Sequence, residues 1–340
     1  MNTNQLLCKT NTKAFYTTLL ISTILLLCSL FFALSFGAKS LPLSTIWEAI
    51  WQFDESNVEH QVIHSVRFPR VLASALVGAA FAVAGTLMQG VTRNPLADVG
   101  VLGINAGATF VVAISFVIFP NIPFTLLMIL SFIGATCTTL FIFFLGMNAP
   151  GGLTPLKLTL AGTVIASMLH SLTAGIAIYF ELSQDLAFWY AGGVAGVEWP
   201  QLIAIAPIIV TVLIAAMLLG KPLSIMAMGE EMAINLGLNT KRIRILAIIF
   251  ALLLAGVSVA AVGSIAFVGL VIPHIARKFV GVDYRFVLPI SALLGALLLV
   301  IADLVARTID PPKEFAIGVI VAMIGVPFFL MIARKEKRAL

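Results

Sequence analysis

Windows of about 20 mainly apolar residues, the length that crosses a hydrocarbon core of roughly 30 Å, recur from one end of this 340-residue chain to the other. Ten such windows lie near 15–36, 68–90, 97–118, 123–146, 155–180, 201–220, 241–262, 266–280, 285–306 and 315–333. The eighth is short and the third is rich in glycine. A segment in lipid must satisfy its own backbone hydrogen bonds, which at this length means a helix. The fold class is therefore all-α integral membrane protein with about ten transmembrane helices. Composition agrees: 61% of residues are hydrophobic and 10% charged, where a soluble domain carries roughly a quarter charged residues.

Placing the spans divides the charges. With the N-terminus inside, only Lys39, Arg67, Arg70, Arg307 and Lys313 of the 20 Lys and Arg residues fall outside. The rest, from Lys9, Lys13 and Arg93 to Lys337 and Arg338, fall on the cytoplasmic side. Basic residues in short loops stay inside, so both termini are expected in the cytoplasm. The net charge of +5 faces an anionic leaflet, and no basic domain points to nucleic acid.

Several chemistries are excluded or weak. The first window is longer than a signal-peptide core and no small-residue cleavage site follows it, so it reads as an uncleaved anchor. Cys8, Cys28 and Cys137 are too scattered for a disulfide framework or a metal site. His60 and His64 stand at helical spacing beside Glu59 but have no third ligand nearby. No G-x-x-x-x-G-K-[ST] loop is present to hold nucleotide phosphates; if ATP drives this chain, another polypeptide binds it. No soluble stretch makes a second domain, the longest being the outer segment from Gly37 to Arg67.

Away from their ends the windows hold few ionisable residues, His170 and Asp303 among them, too few for a proton relay. Asp303 lies one turn from Arg307, so a local ion pair accounts for it. Ala75, Gly78, Ala82 and Gly85, like Ser291 and Gly295, lie at steps that let a second helix backbone approach closely. Thr163, Ser167, His170 and Ser171 share one face of the fifth window. Their hydroxyls either bond back to the carbonyl one turn earlier or line a water-accessible path.

The inner segment 221–240 is too polar to span. Glu230 and Glu231 suit a helix N-terminus and Gly237 suits the position after a helix end. Met226, Met228, Met232, Ile234 and Leu236 are expected as apolar groups on the cytoplasmic side, where they mark either a protein interface or an amphipathic helix lying on the membrane. On the outer side, Arg67, Arg70 and Arg307 are expected to be exposed. There they either receive carboxylates of a docking protein or anchor to headgroups.

Four segments occur in order. Arg67-Phe68-Pro69-Arg70 opens the second window, and Met88-Gln89-Gly90-Val91-Thr92-Arg93-Asn94-Pro95-Leu96-Ala97-Asp98 follows it. Gly229-Glu230-Glu231-Met232-Ala233-Ile234-Asn235-Leu236-Gly237-Leu238-Asn239 and Phe267-Val268-Gly269-Leu270-Val271-Ile272-Pro273-His274-Ile275-Ala276-Arg277 come later. Together they resemble the permease subunit of the iron-siderophore and vitamin B12 importers of the ATP-binding-cassette class, from about residue 40 to the C-terminus.

The resemblance implies a vitamin B12 importer-like (type II) permease fold and a dimer with an identical or paralogous protomer. It implies two cytoplasmic ATPase subunits seated on Gly229 to Asn239, ATP and magnesium acting on those subunits, and no cofactor on this chain. An extracytoplasmic substrate-binding protein would meet Arg67, Arg70 and Arg307. The expected cargo is a ferric siderophore, with cobalamin or haem as alternatives, carried across the cytoplasmic membrane of a bacterium without covalent chemistry. An ion-coupled secondary transporter is the competing class, and it would work without any ATPase. A membrane-embedded enzyme lacks the cluster of reacting groups it would need.

Overall fold

The computed structural model describes residues 12–37, 39–148, 155–311 and 313–336; Cys8, Lys9, Lys337 and Arg338 lie outside the described residues. Among the described residues fifteen α-helices follow one another: α1 (Thr12–Ser35), α2 (Leu43–Trp51), α3 (Val58–Val62), α4 (Phe68–Thr92), α5 (Ile104–Ile118), α6 (Phe124–Asn148), α7 (Pro155–Tyr179), α8 (Ser183–Ala191), α9 (Trp199–Met217), α10 (Gly220–Ala227), α11 (Glu230–Asn235), α12 (Thr240–Val262), α13 (Val268–Val280), α14 (Tyr284–Thr308) and α15 (Ile317–Glu336). Among the described residues, seven helical runs are long and apolar enough to cross a membrane. The helices in the third, eighth and tenth windows, α5, α13 and α15, are shorter or less apolar.

The centre of the bundle is α4, which a short π-turn joins to α3 so that the apolar helical run extends over Val58–Thr92. The most apolar stretch of that run is 83% buried, whereas those of α1 and α7 are 17% and 22% buried. Small side chains explain the difference. A Cβ on Gly78 would collide with the carbonyl of Gly295 on α14, and one on Gly85 with the backbone of Gly269 on α13. In lipid, where apolar surface gains nothing by leaving its surroundings, such close backbone approach supplies the packing that holds helices together. The stripe read from the sequence is thus the seam of α4 with two neighbours.

One window does not run as a single helix, and another becomes helical late. The one expected over 97–118 opens with a 3₁₀ turn, Val99–Leu102, and turns at Gly103, whose φ of 69° suits a residue without a Cβ. The one expected over 266–280 becomes helical only at Val268, because Gly263 (φ 75°) ends α12 and Phe267 (φ 69°) is held in the left-handed region before α13. Non-helical backbone within a bundle needs protein partners, and it has them. Ser264 N–H donates to the Trp189 carbonyl at 2.9 Å, and Gly193 N–H to the Val262 carbonyl at 2.8 Å. The Asn105 amide donates to Ser264 Oγ at 2.8 Å.

The bundle has two dissimilar ends. Helices α2 and α3, the start of α4 and the finish of α14 form one. The other carries α10 and α11, the finish of α4 and the start of α14.

Candidate functional site

At the α10–α11 end the backbone is punctuated by glycine. Gly229 (φ 132°) separates the two short helices, and Glu230 and Glu231 stand in the first turn of α11 as expected. Gly237 (φ 80°) follows the end of α11, donating to the Ile234 carbonyl at 2.8 Å while Leu238 N–H reaches the Ala233 carbonyl at 3.0 Å. That paired closure satisfies the last carbonyls of the helix. Asn239 Oδ1 then accepts Arg242 N–H at 3.0 Å and caps α12. Glu230 is tied back to Arg244 at 3.1 Å, which fixes α11 against the start of α12.

The apolar side chains here divide. Met226 is fully buried with Leu223, so its expected place on the surface is corrected: the i, i+3 spacing turns both toward the core. Met228, Met232, Ile234 and Leu236 remain 49–69% exposed, while Ala233 is buried beneath them. Arg93, the left-handed C-cap of α4 (φ 52°), faces Glu230, Glu231 and Asn235 across a cavity of about 530 Å³. The sequence reading gave Arg93 no role at this end. Its one local signal was the Arg-Asn-Pro sequence, which ends a helix.

At the opposite end the structure overturns an expectation. Arg67, Arg70 and Arg307 are not exposed; they are 7%, 7% and 5% accessible. Arg67 donates to the carbonyls of Leu34, Ser35 and Lys39, with the Ser35 bond at 2.9 Å. Arg307 Nη2 donates to the Ala33 carbonyl at 2.9 Å. Arg70 pairs with Asp303 at 2.9 Å and with Glu314 at 2.7 Å. The i,i+4 pair expected between Asp303 and Arg307 is present at 3.2 Å, an ionic contact without hydrogen-bond alignment. The physical reason is satisfaction within the chain. The carbonyls ending α1 need donors, and guanidinium groups supply several in a fixed fork. Basic groups reach solvent at this end through Lys39, which pairs with Glu59 at 2.9 Å, and Lys313.

The two histidines are absorbed nearby. His60 Nδ1 accepts Asp54 N–H at 3.2 Å. His64 stacks near Phe53 and Trp199, whose ring centroids lie 5.1 and 5.6 Å away, and its carbonyl accepts Trp199 Nε1–H at 2.7 Å. Asp54 is held below the ordinary carboxylate range by the hydrogen bond from the Ser56 hydroxyl and the Ser56 amide.

The third candidate lies along α7. Thr163, Ser167, His170 and Ser171 are all exposed on this chain. Thr163 bonds back to the Leu160 carbonyl and Ser171 to that of Ser167, each at 3.0 Å, so local satisfaction of the hydroxyls and exposure of the stripe hold together. The His170 ring approaches Tyr190, with centroids 6.3 Å apart. Cys28 and Cys137 are free and exposed.

The model of the FecCD transport family matches residues 25–335. The chain is 44% identical over 324 residues to the iron(3+)-hydroxamate import system permease protein FhuB of Bacillus subtilis (strain 168), covering 94% of this chain and 84% of that one. It is 37% identical to the ferric enterobactin transport system permease protein FepD of Escherichia coli (strain K12), covering 93% and 94%. It is 34% identical to the hemin transport system permease protein HmuU of Yersinia pestis, covering 88% and 90%. Among solved structures, a metal-chelate type ABC transporter in an inward-facing conformation superposes with a TM-score of 0.82 at 28% identity, covering 93% of this chain and 98% of that one.

Proposed function

From the premise that this chain belongs to the FecCD transport family, we propose that it is the membrane permease of an ATP-binding-cassette importer that carries a ferric siderophore into a bacterial cell. Its relatives are named for ferric hydroxamate, enterobactin and iron citrate import. The permease makes and breaks no covalent bond. Energy comes from ATP and magnesium on two separate ATPase subunits.

The observation that carries the coupling is the α10–α11 end. Met228, Met232, Ile234 and Leu236 present apolar surface on an element whose backbone is closed by its own glycine cap. Exposed apolar side chains ringed by charges mark a protein interface, and methionine repacks as a partner changes shape. We place the ATPase seat on Gly229 to Asn239, with this end and both termini in the cytoplasm, in keeping with the distribution of basic residues.

The substrate-binding protein meets the opposite end. Because Arg67, Arg70 and Arg307 are engaged within the chain, they support the docking surface from beneath, and the exposed charges of Lys39, Lys313 and Glu314 present it. A second protomer, identical or paralogous, faces the exposed stripe of α7. Thr163, Ser167, His170 and Ser171 would then line the path. Weakly polar groups suit a chelated cargo, whose iron is already covered by its own ligands.

Radio-iron uptake in cells lacking this chain tests the reading, with catecholate, hydroxamate and carboxylate siderophores supplied separately and labelled haem and cobalamin in parallel. Loss confined to one siderophore class, restored by the intact gene but not by a variant altered across Gly229–Asn239, is the expected result. Loss confined to haem, the cargo named for one relative, or to cobalamin would replace the cargo. Uptake that persists without the ATPase subunits would overturn the importer class.

A further inference from the structure

Ser224 lies on α10 beside the proposed ATPase seat, yet its bonds run away from that seat to a different helix. Its hydroxyl oxygen accepts the backbone N–H of Tyr284 at 2.8 Å. The hydroxyl proton has two acceptors in reach, Asp283 Oδ1 at 2.8 Å and the Gly220 carbonyl at 2.9 Å. An ionised carboxylate is the stronger of these. Asp283 is the N-cap of α14, and its Oδ1 also accepts Arg285 N–H at 3.0 Å.

The first amides of a helix have no partner inside it. At α14 that need is divided: Asp283 meets Arg285 N–H, and Ser224 of α10 meets Tyr284 N–H. The cap is therefore complete only while α10 stays in place. A second contact fixes the same pair, since a Cβ on Gly220 would stand 2.9 Å from the Arg285 Cα. The backbones of the two helices meet there with no side chain between them to absorb a displacement.

What α14 does with a displacement follows from its length. It runs 25 residues from Tyr284 to Thr308, touches α4 backbone to backbone at Gly78 and Gly295, and ends in the buried Asp303–Arg70 pair. A shift applied at Tyr284 meets rigid contact along this helix.

We infer that Ser224 is the positioning residue that joins the ATPase-bound element α10–α11 to α14, so that displacement of the seat is delivered to the helix that spans to the opposite end. The inference rests on the reading of α10–α11 as the ATPase seat. Ser224 acts through Asp283 and the Tyr284 amide of the α14 cap.

The test uses the full chain with its second protomer, ATPase subunits and binding protein in proteoliposomes, with a radio-labelled ferric hydroxamate as probe. Two quantities are read: iron moved per ATP hydrolysed, and the ratio of hydrolysis with loaded binding protein to hydrolysis without it. Failure of the wild-type chain to retain the ATPase subunits, or to move iron with ATP, would remove the underlying reading and is visible before any variant is made.

Given a working wild type, Ser224→Ala is expected to retain the ATPase subunits on purification but to lower both quantities by about fivefold or more, the range of a typical coupling between sites. Ser224→Thr, which keeps the hydroxyl, is expected to recover most of the loss, whereas a merely structural serine would change yield and leave iron moved per ATP alone. Should Ser224→Ala not assemble, Asp283→Asn reads the same link, since it retains an oxygen for Arg285 N–H and loses the charged acceptor. Iron per ATP that stays at the wild-type value in whichever of these variants assembles would overturn the inference.

Discussion

The two ends of the bundle use charge in opposite ways. At one, Arg67, Arg70, Arg307 and Asp303 are buried together and spend their hydrogen bonds on the carbonyls of α1 and on one another. At the other, Arg93 and Glu231 are exposed beside exposed methionine, isoleucine and leucine. A buried, paired charge locks helices in one arrangement, because removing a partner leaves the remainder uncompensated. An exposed apolar surface on a capped, glycine-hinged element does the reverse: it is stable alone and becomes more so when covered. The end with the buried arginines is thus built for rigidity, and the apolar end for a partner.

The largest effect should come from breaking the locked end. Asp303→Ala leaves Arg70 and Arg307 buried without their shared carboxylate, a loss of about 3–5 kcal/mol. It should appear as a lowered thermal midpoint and a poor yield in detergent, and a midpoint close to wild type would mean that the arginines find water instead. Next, Gly295→Val drives a branched side chain into the Gly78 carbonyl and Ala82. Overpacking of this kind costs about 1–3 kcal/mol, again read from the thermal midpoint.

At the other end the same measurement should hardly move. Replacing Met232 and Leu236 together by aspartate alters exposed positions, which ordinarily shifts stability by less than about 0.5 kcal/mol. The ATPase subunits should nevertheless no longer co-purify. A large drop in midpoint with retained co-purification would invert the contrast between the ends. The smallest effect belongs to the exposed pair: Lys39→Ala removes a surface ion pair worth about 0–1 kcal/mol, and its midpoint should match the wild type. A drop as large as that of Asp303→Ala would erase the distinction between buried and exposed charge at that end.

The pH response sharpens the contrast further. Burial alone would raise the Asp283 carboxyl, but the bonds from Arg285, its backbone amide and Ser224 outweigh burial and hold it below the ordinary range. A depressed carboxyl contributes stability that is present above its unfolded value and lost as pH falls through the folded one. The α10–α14 junction should therefore be insensitive to pH between about 6 and 8, well above the ordinary carboxylate value near 3.9, and should weaken only in strong acid. Thermal midpoints of wild type and Asp283→Asn compared across that series would show it: their difference should be constant near neutrality and should shrink in acid.

Much of this was legible in the residues. Apolar windows located the long helices because a lipid span permits little else. Gly237 announced the end of α11, and the glycine stripe announced the α4 seam, since each depends on a local property of one residue type. The burial of Arg70 was not legible, because Asp303 and Glu314 lie 233 and 244 positions away and only the chain fold brings them together. One sign was available: a carboxylate inside an apolar window demands a cation, and Asp303 had two candidates at the same end. The apolar windows separated α12 from α13 at Gly263, but the left-handed turn of Phe267, which delays α13 to Val268, was hidden because an apolar residue carries no sign of it. Met226 was misplaced because its neighbours in sequence are exposed, while its partner Leu223 lies three residues back.

ATP-dependent iron uptake by proteoliposomes tests the central assignment most directly, using this chain with and without its ATPase subunits and with ferric hydroxamate delivered by the binding protein. The account predicts accumulation only when the ATPase subunits and ATP are both present, and its loss when Met232 and Leu236 are replaced by aspartate. Accumulation driven by an ion gradient in the absence of the ATPase subunits would contradict it.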